Sequence, residues 1–128
     1  MSRLEGKVAI VTGAARGTGE QTARLFADEG ARVVIADVLE DEGRATAEDI
    51  GASAIFERLD VTDEASWKNV VAKTVAVFGA PTVLVNNAGL LHMEALVDIN
   101  PADVERLWRV NQFGPFLGMQ AVARTMQG

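Results

Sequence analysis

Val8-Ala9-Ile10-Val11-Thr12-Gly13-Ala14-Ala15-Arg16-Gly17-Thr18-Gly19 is the stretch on which the fold turns. Its first four residues are continuously apolar and mostly β-branched, as a strand buried on both faces of a parallel sheet requires. Three glycines follow, and a helical pattern runs from about Thr18 to Glu29, with Gly30 as its stop. Glycines at such a junction permit a tight turn, let the backbone approach a pyrophosphate, and let strand and helix pack closely. The helix behind them offers free N–H groups and the positive end of its dipole. The spacing is G-x-x-x-G-x-G, with no Lys-Ser/Thr ending, which sets a P-loop NTPase aside. Taken alone, the pattern also fits a purely structural Gly-rich turn.

Working outward, the same alternation repeats. Arg32 to Ala36 reads as a second strand, Asp41 to Ile50 as a helix, and Ala54-Ile55-Phe56 as a third strand. Thr62 can N-cap the next helix, with Asp63 and Glu64 in its first turn. Trp67, Val70, Val71, Thr74, Val75 and Phe78 give that helix one apolar face, and Gly79 ends it. Thr82 to Val85 is a fourth strand, and Asn100-Pro101 starts a further helix. The order β-α-β-α-β-α-β-α implies an α/β fold with a parallel sheet and right-handed crossovers. From Val110 to Met126 the apolar side chains fall on nearly every face, interrupted by Gly114-Pro115. Such a helix wants cover on two sides: one from the sheet, the other from a partner or from further chain.

Composition narrows the function. The chain has 128 residues, a formal net charge of −6 and 48% hydrophobic residues, which fits one soluble domain and leaves no basic stripe for nucleic acid. It has no cysteine and one histidine, His92, so neither a disulfide framework nor a metal site is expected. His92 itself reads as a bystander, and Trp67 and Trp108 as core or interface. No apolar run is long enough for a signal segment or a membrane span, so a cytoplasmic protein with no membrane partner is expected.

Asp37, at the end of the second strand, stands where a carboxylate bonds adenosine ribose hydroxyls and repels a 2′-phosphate, which favours NAD over NADP. Arg16 pulls weakly the other way. Four motifs now stand in order at strand ends or in the following helix: Thr12-Gly13-x-x-x-Gly17-x-Gly19, Asp60-Val61, Asn86-Asn87-Ala88-Gly89, and Asn111. Together they resemble the short-chain dehydrogenase/reductase family over essentially the whole chain, and most nearly its NAD-using hydroxysteroid and secondary-alcohol dehydrogenases.

The resemblance implies a Rossmann-type, doubly wound parallel sheet of order 3-2-1-4 with helices on both faces. Residues 1–128 would be a single NAD-binding domain, truncated before the catalytic part. It further implies that Gly13, Gly17, Thr18 and Gly19 line the pyrophosphate and ribose, with Arg16 and Asp37 beside them. Asp60 would accept from the adenine amino group next to Val61. Asn87, Ala88 and Gly89 would pass the ribose with their backbone, while Asn86 ties the central strands. Asn111 corresponds to the family's catalytic Asn, which holds a water in the proton relay; a helix-interior Asn bonding a backbone carbonyl is the other reading. The implied chemistry is hydride transfer between NAD and a small secondary alcohol or ketone. The family's Ser and Tyr-x-x-x-Lys find no match, and the sequence contains no Tyr. The chain is therefore expected to bind cofactor with little or no turnover, and to self-associate as a homo-oligomer through its unprotected fourth strand. Two other readings stay open: a non-catalytic adenine-nucleotide-binding module, and an S-adenosylmethionine-binding domain, which the glycine and Asn-Asn-Ala-Gly motifs disfavour.

Overall fold

The computed structural model describes residues 2–126. Four strands, β1 (Val8–Thr12), β2 (Arg32–Asp37), β3 (Ala54–Arg58) and β4 (Val83–Val85), form one parallel sheet in the order β3-β2-β1-β4. Val8 pairs with Arg32 and Ile10 with Val34; on the other side Ile10 pairs with Leu84. The fold is the Rossmann-type α/β arrangement that the alternating pattern predicts.

The central strands carry almost unbroken apolar runs because helices cover both faces. Val11, Val33 and Ile35 point to one layer with Ala23 of α1 (Gly17–Asp28) and Ala47 of α2 (Glu40–Ile50). Ile10, Val34 and Ala36 point to the other, against Trp67, Val70 and Val71 of α3 (Glu64–Phe78) and Leu117 and Val122 of α5 (Gly114–Met126). Neighbouring residues on a strand thus serve opposite cores, as a side-chain period of two dictates.

Two local expectations give way. Thr62 does not cap α3; Asp63 does, its side chain accepting from Ala65 N at 3.0 Å. The reason is Asp60, which takes both the Thr62 hydroxyl (2.7 Å) and its N–H (2.9 Å) and holds Thr62 in the preceding turn. Nor does Gly114-Pro115 interrupt the last helix. α4 (Pro101–Trp108), capped by the Asn100 side chain, runs into a π-helical turn (Arg109–Phe113) and on into α5. Gly114 N–H donates to Arg109 O, the five-residue bond of a π turn, and Pro115 falls in the first turn of α5 where its missing N–H is harmless. The all-round apolar surface resolves into two sides. Leu117 and Val122 are buried, whereas Phe116, Met119 and Met126 are about half exposed.

Candidate functional site

The carboxyl ends of the four strands open on a cavity of about 500 Å³. Its wall brings together Gly13, Arg16 and Gly17 after β1, Asp37 at the end of β2, Asp60 and Val61 after β3, and Asn87 to Gly89 after β4. Ligands of open α/β sheets lie at this edge, where the chain reverses its winding between β1 and β4. Thr18 and Gly19 are not in the wall. They form the first turn of α1, Thr18 exposed and Gly19 buried.

The glycines serve different ends. Gly17 has φ +65° and open space where a side chain would be, so its backbone lies bare at the start of α1. Gly13 has no room: an added Cβ would sit 2.9 Å from Ala88 Cα. At Gly19 it would strike the Gly13 carbonyl. Gly13 and Gly19 are therefore packing residues, and Gly17 is the one that bares the backbone.

Thr12, buried at the end of β1, organises the loop after β4. Its hydroxyl accepts from Asn87 N (3.0 Å) and Ala88 N (2.9 Å). The Asn87 amide in turn donates to the carbonyls of Thr12 and Gly13 at 3.1 and 3.2 Å. The side chain tying the central strands is thus that of Asn87 rather than Asn86, which lies one residue nearer the sheet and is exposed.

Asp37 bonds the backbone with both oxygens, Oδ2 accepting from Ala15 N and Oδ1 from Leu39 N, each at 3.1 Å. Each oxygen keeps a lone pair for a further donor. The Ala15 carbonyl accepts from the buried Thr46 hydroxyl of α2 at 2.9 Å. Arg16 is largely exposed and 3.9 Å from Glu42, a solvated contact of small energy. Asp60 holds Thr62, and its own N–H donates to Ser66 Oγ at 3.0 Å. Thr46 and Ser66 are organising residues that motif reading passes over, while Thr12 opens the first motif with no bonding role legible there. Short hydroxyl side chains carry no spacing signal of their own.

Asn111 sits in the π turn. Its Oδ1 accepts from Leu90 N (2.7 Å) and its Nδ2 donates to Leu90 O (2.8 Å), so it clamps the segment after Gly89 at both backbone groups. It does bond a backbone carbonyl, though one from another segment rather than from its own helix. His92 lies farther along that segment with Nε2 2.8 Å from Glu94 Oε1. His92, Glu94 and Asp103 bring possible ligand atoms within 4.8 Å of one another, but His92 and Glu94 are exposed and Asp103 half-buried, where carboxylates stay solvated without an ion.

A family model, short chain dehydrogenase, matches residues 7–128. The chain belongs to that family. Among curated relatives, a 3-alpha-(or 20-beta)-hydroxysteroid dehydrogenase of Mycobacterium tuberculosis is 43% identical over 98% of this chain and 48% of its own length. A sorbitol dehydrogenase of Cereibacter sphaeroides is 45% identical over 97% of this chain and 48% of its own. A secoisolariciresinol dehydrogenase of Forsythia intermedia is 44% identical over 97% and 46%. This short-chain dehydrogenase chain thus spans about half the length of the curated relatives it matches. Among its described residues no helix is long and apolar enough to cross a membrane.

Proposed function

We propose that the chain is the NAD-binding half of an oxidoreductase acting on a secondary alcohol or ketone. The observation that carries this is Asp37, whose carboxylate is fixed between Ala15 and Leu39 at the rim of the cavity, with a lone pair left on each oxygen. Those lone pairs suit the two hydroxyls of an unphosphorylated adenosine ribose, and the charge repels a 2′-phosphate. The cavity fits a dinucleotide on another count. Gly17, at the start of α1, puts no side chain of its own between its backbone and a pyrophosphate.

Bound NAD would supply the hydride acceptor; the chain supplies binding and orientation. Asp60 and Val61 would flank the adenine, and the backbone of Asn87, Ala88 and Gly89 would pass the ribose. Asn111, held on Leu90 by two bonds, would fix the relay water from its helix. The family's proton donor is a Tyr, and none occurs among these 128 residues. General acid–base help is typically worth about 10²–10⁴-fold in rate, so binding with little or no turnover is the expected behaviour. We assign the protein to the cytoplasm, acting on a small molecule and associating with itself.

Calorimetric titration with NAD, NADP, ADP and S-adenosylmethionine tests the reading, beside a dehydrogenase assay on a panel of secondary alcohols. NAD bound more tightly than NADP, with little turnover, supports it. S-adenosylmethionine binding in place of NAD overturns it. ADP bound as tightly as NAD would favour a plain adenine-nucleotide module, a reading that the two adenosine-side carboxylates also suit.

A further inference from the structure

The two peptides flanking Ala15, in the middle of the Gly-rich turn, are anchored from outside the turn. The Ala15 N–H is held by Asp37 of β2 and the Ala15 carbonyl by Thr46 of α2. Thr46 is 5% exposed, and it lines no part of the cavity. A Thr inside a helix commonly turns its hydroxyl back on the carbonyl four residues before it. Thr22 does so to Thr18, and Thr74 to Val70. Thr46 instead gives its one hydroxyl proton to the turn, thirty-one residues away in sequence.

We infer that Thr46 is a positioning residue for the dinucleotide, an inference that rests on the NAD reading above. The Ala15–Arg16 peptide is trans, so its C=O and N–H point in opposite directions. Fixing the carbonyl on α2 turns the Arg16 N–H away from α2, and among the described residues no acceptor takes it. Arg16 lines the cavity, so that N–H is offered to a phosphate or ribose oxygen at the start of α1. Without the Thr46 hydroxyl, the free turn rotates to hydrate its orphaned carbonyl, and binding has to restore the peptide's direction. Because the same residue, Ala15, is also bonded to Asp37, the loosened turn releases the carboxylate as well.

Three variants of the full chain test this by NAD titration and thermal melting. Thr46→Val keeps shape and removes the hydroxyl, and should weaken NAD binding by about 5- to 150-fold, the range expected for an unmade buried hydrogen bond. Thr46→Ser keeps the hydroxyl and should bind nearly as the parent does. Val70→Ala, in the opposite core, should lower the melting temperature and leave NAD affinity unchanged. Parent-like affinity in Thr46→Val, a Thr46→Ser as weak as Thr46→Val, or an equal loss in Val70→Ala each overturns the inference. Should Thr46→Val not fold, the Arg16 amide resonance of the unmodified chain decides. It should move when NAD is added, and an unmoved resonance overturns the inference. If the unmodified chain binds no NAD at all, the dinucleotide reading fails first and takes this inference with it.

Discussion

Each oxygen of Asp37 holds a different backbone N–H, so turning one oxygen into an amide donor removes the charge together with one of those two bonds. Asp37→Asn keeps one acceptor and loses the charge; it should narrow the preference for NAD over NADP by about tenfold or more, since a charge-assisted bond is worth roughly 1.5–3 kcal/mol. A preference that stays where it was, measured by paired titrations, would remove Asp37 from the discrimination of a 2′-phosphate. At the other end of the sheet Glu29 accepts from the Arg3 guanidinium and from Arg3 N, each at 3.1 Å. Those hydrogen bonds, and the charge of Arg3, hold the Glu29 carboxyl below its ordinary value of 4.5 against the opposing effect of burial. A carboxyl depressed on folding stabilises the fold fully above its unfolded value and loses that contribution as pH falls through the folded one. Glu29→Gln should therefore melt lower than the parent at pH 7. The gap should close as pH drops below about 4.5; a gap that is constant from pH 7 to pH 3 would mean that the pair contributes nothing through its charge.

The π turn joining α4 and α5 directs Asn111 at Leu90, and the helix beyond it seats on α3 through Gly118. An added Cβ at Gly118 would lie 2.5 Å from Trp67 Cη2, and that indole is fully buried with its N–H bonded to Val61 O. Alanine gains about 1 kcal/mol of helix propensity over glycine, but overpacking a filled core costs about 1–3 kcal/mol. The clash should win because neither Trp67 nor the backbone has slack, so Gly118→Ala should lower the urea midpoint; a raised midpoint would show that α5 can slide. Legibility follows the same physics. The strands were readable because burial on two faces leaves short, continuously apolar and β-branched runs set off by helical stretches, and their order came with the family resemblance. The strand-end motifs include many of the residues that line the cavity, but also Thr18, Gly19 and Asn111, which do not line it. The π turn was not readable, since one extra residue in a helical bond leaves no mark in a run that is apolar on most sides. The cap on α3 is hard to read because Thr62 and Asp63 both suit it, and the local turn in which Asp60 takes Thr62 decides between them. Thr46 was invisible for a similar reason: its partner is a carbonyl, which every residue has.

At the scale of the whole molecule two surfaces stand unpaired among the described residues. β4 has β1 on one side and no strand on the other. Beside it, the continuous helix from Pro101 to Met126 shows water Trp108, Phe116, Met119 and Met126, with Trp108, Phe113 and Phe116 stacked in series at 5.3 and 6.3 Å. A three-residue edge offers few hydrogen bonds, so the helical stripe is the larger incentive to associate. Opposing it is the net charge of −6, which repels a second copy at low ionic strength. The chain should therefore form a dimer whose population rises with both protein and salt concentration, followed by light scattering across a size-exclusion peak. Phe116→Glu with Met119→Glu places two carboxylates in the stripe without touching the cavity wall, and should return the chain to a monomer with NAD affinity intact. A parent chain that stays monomeric at high salt and at hundreds of micromolar would show that the stripe is too small to drive association. A parent dimer that survives both glutamates would move the contact to the free edge of β4.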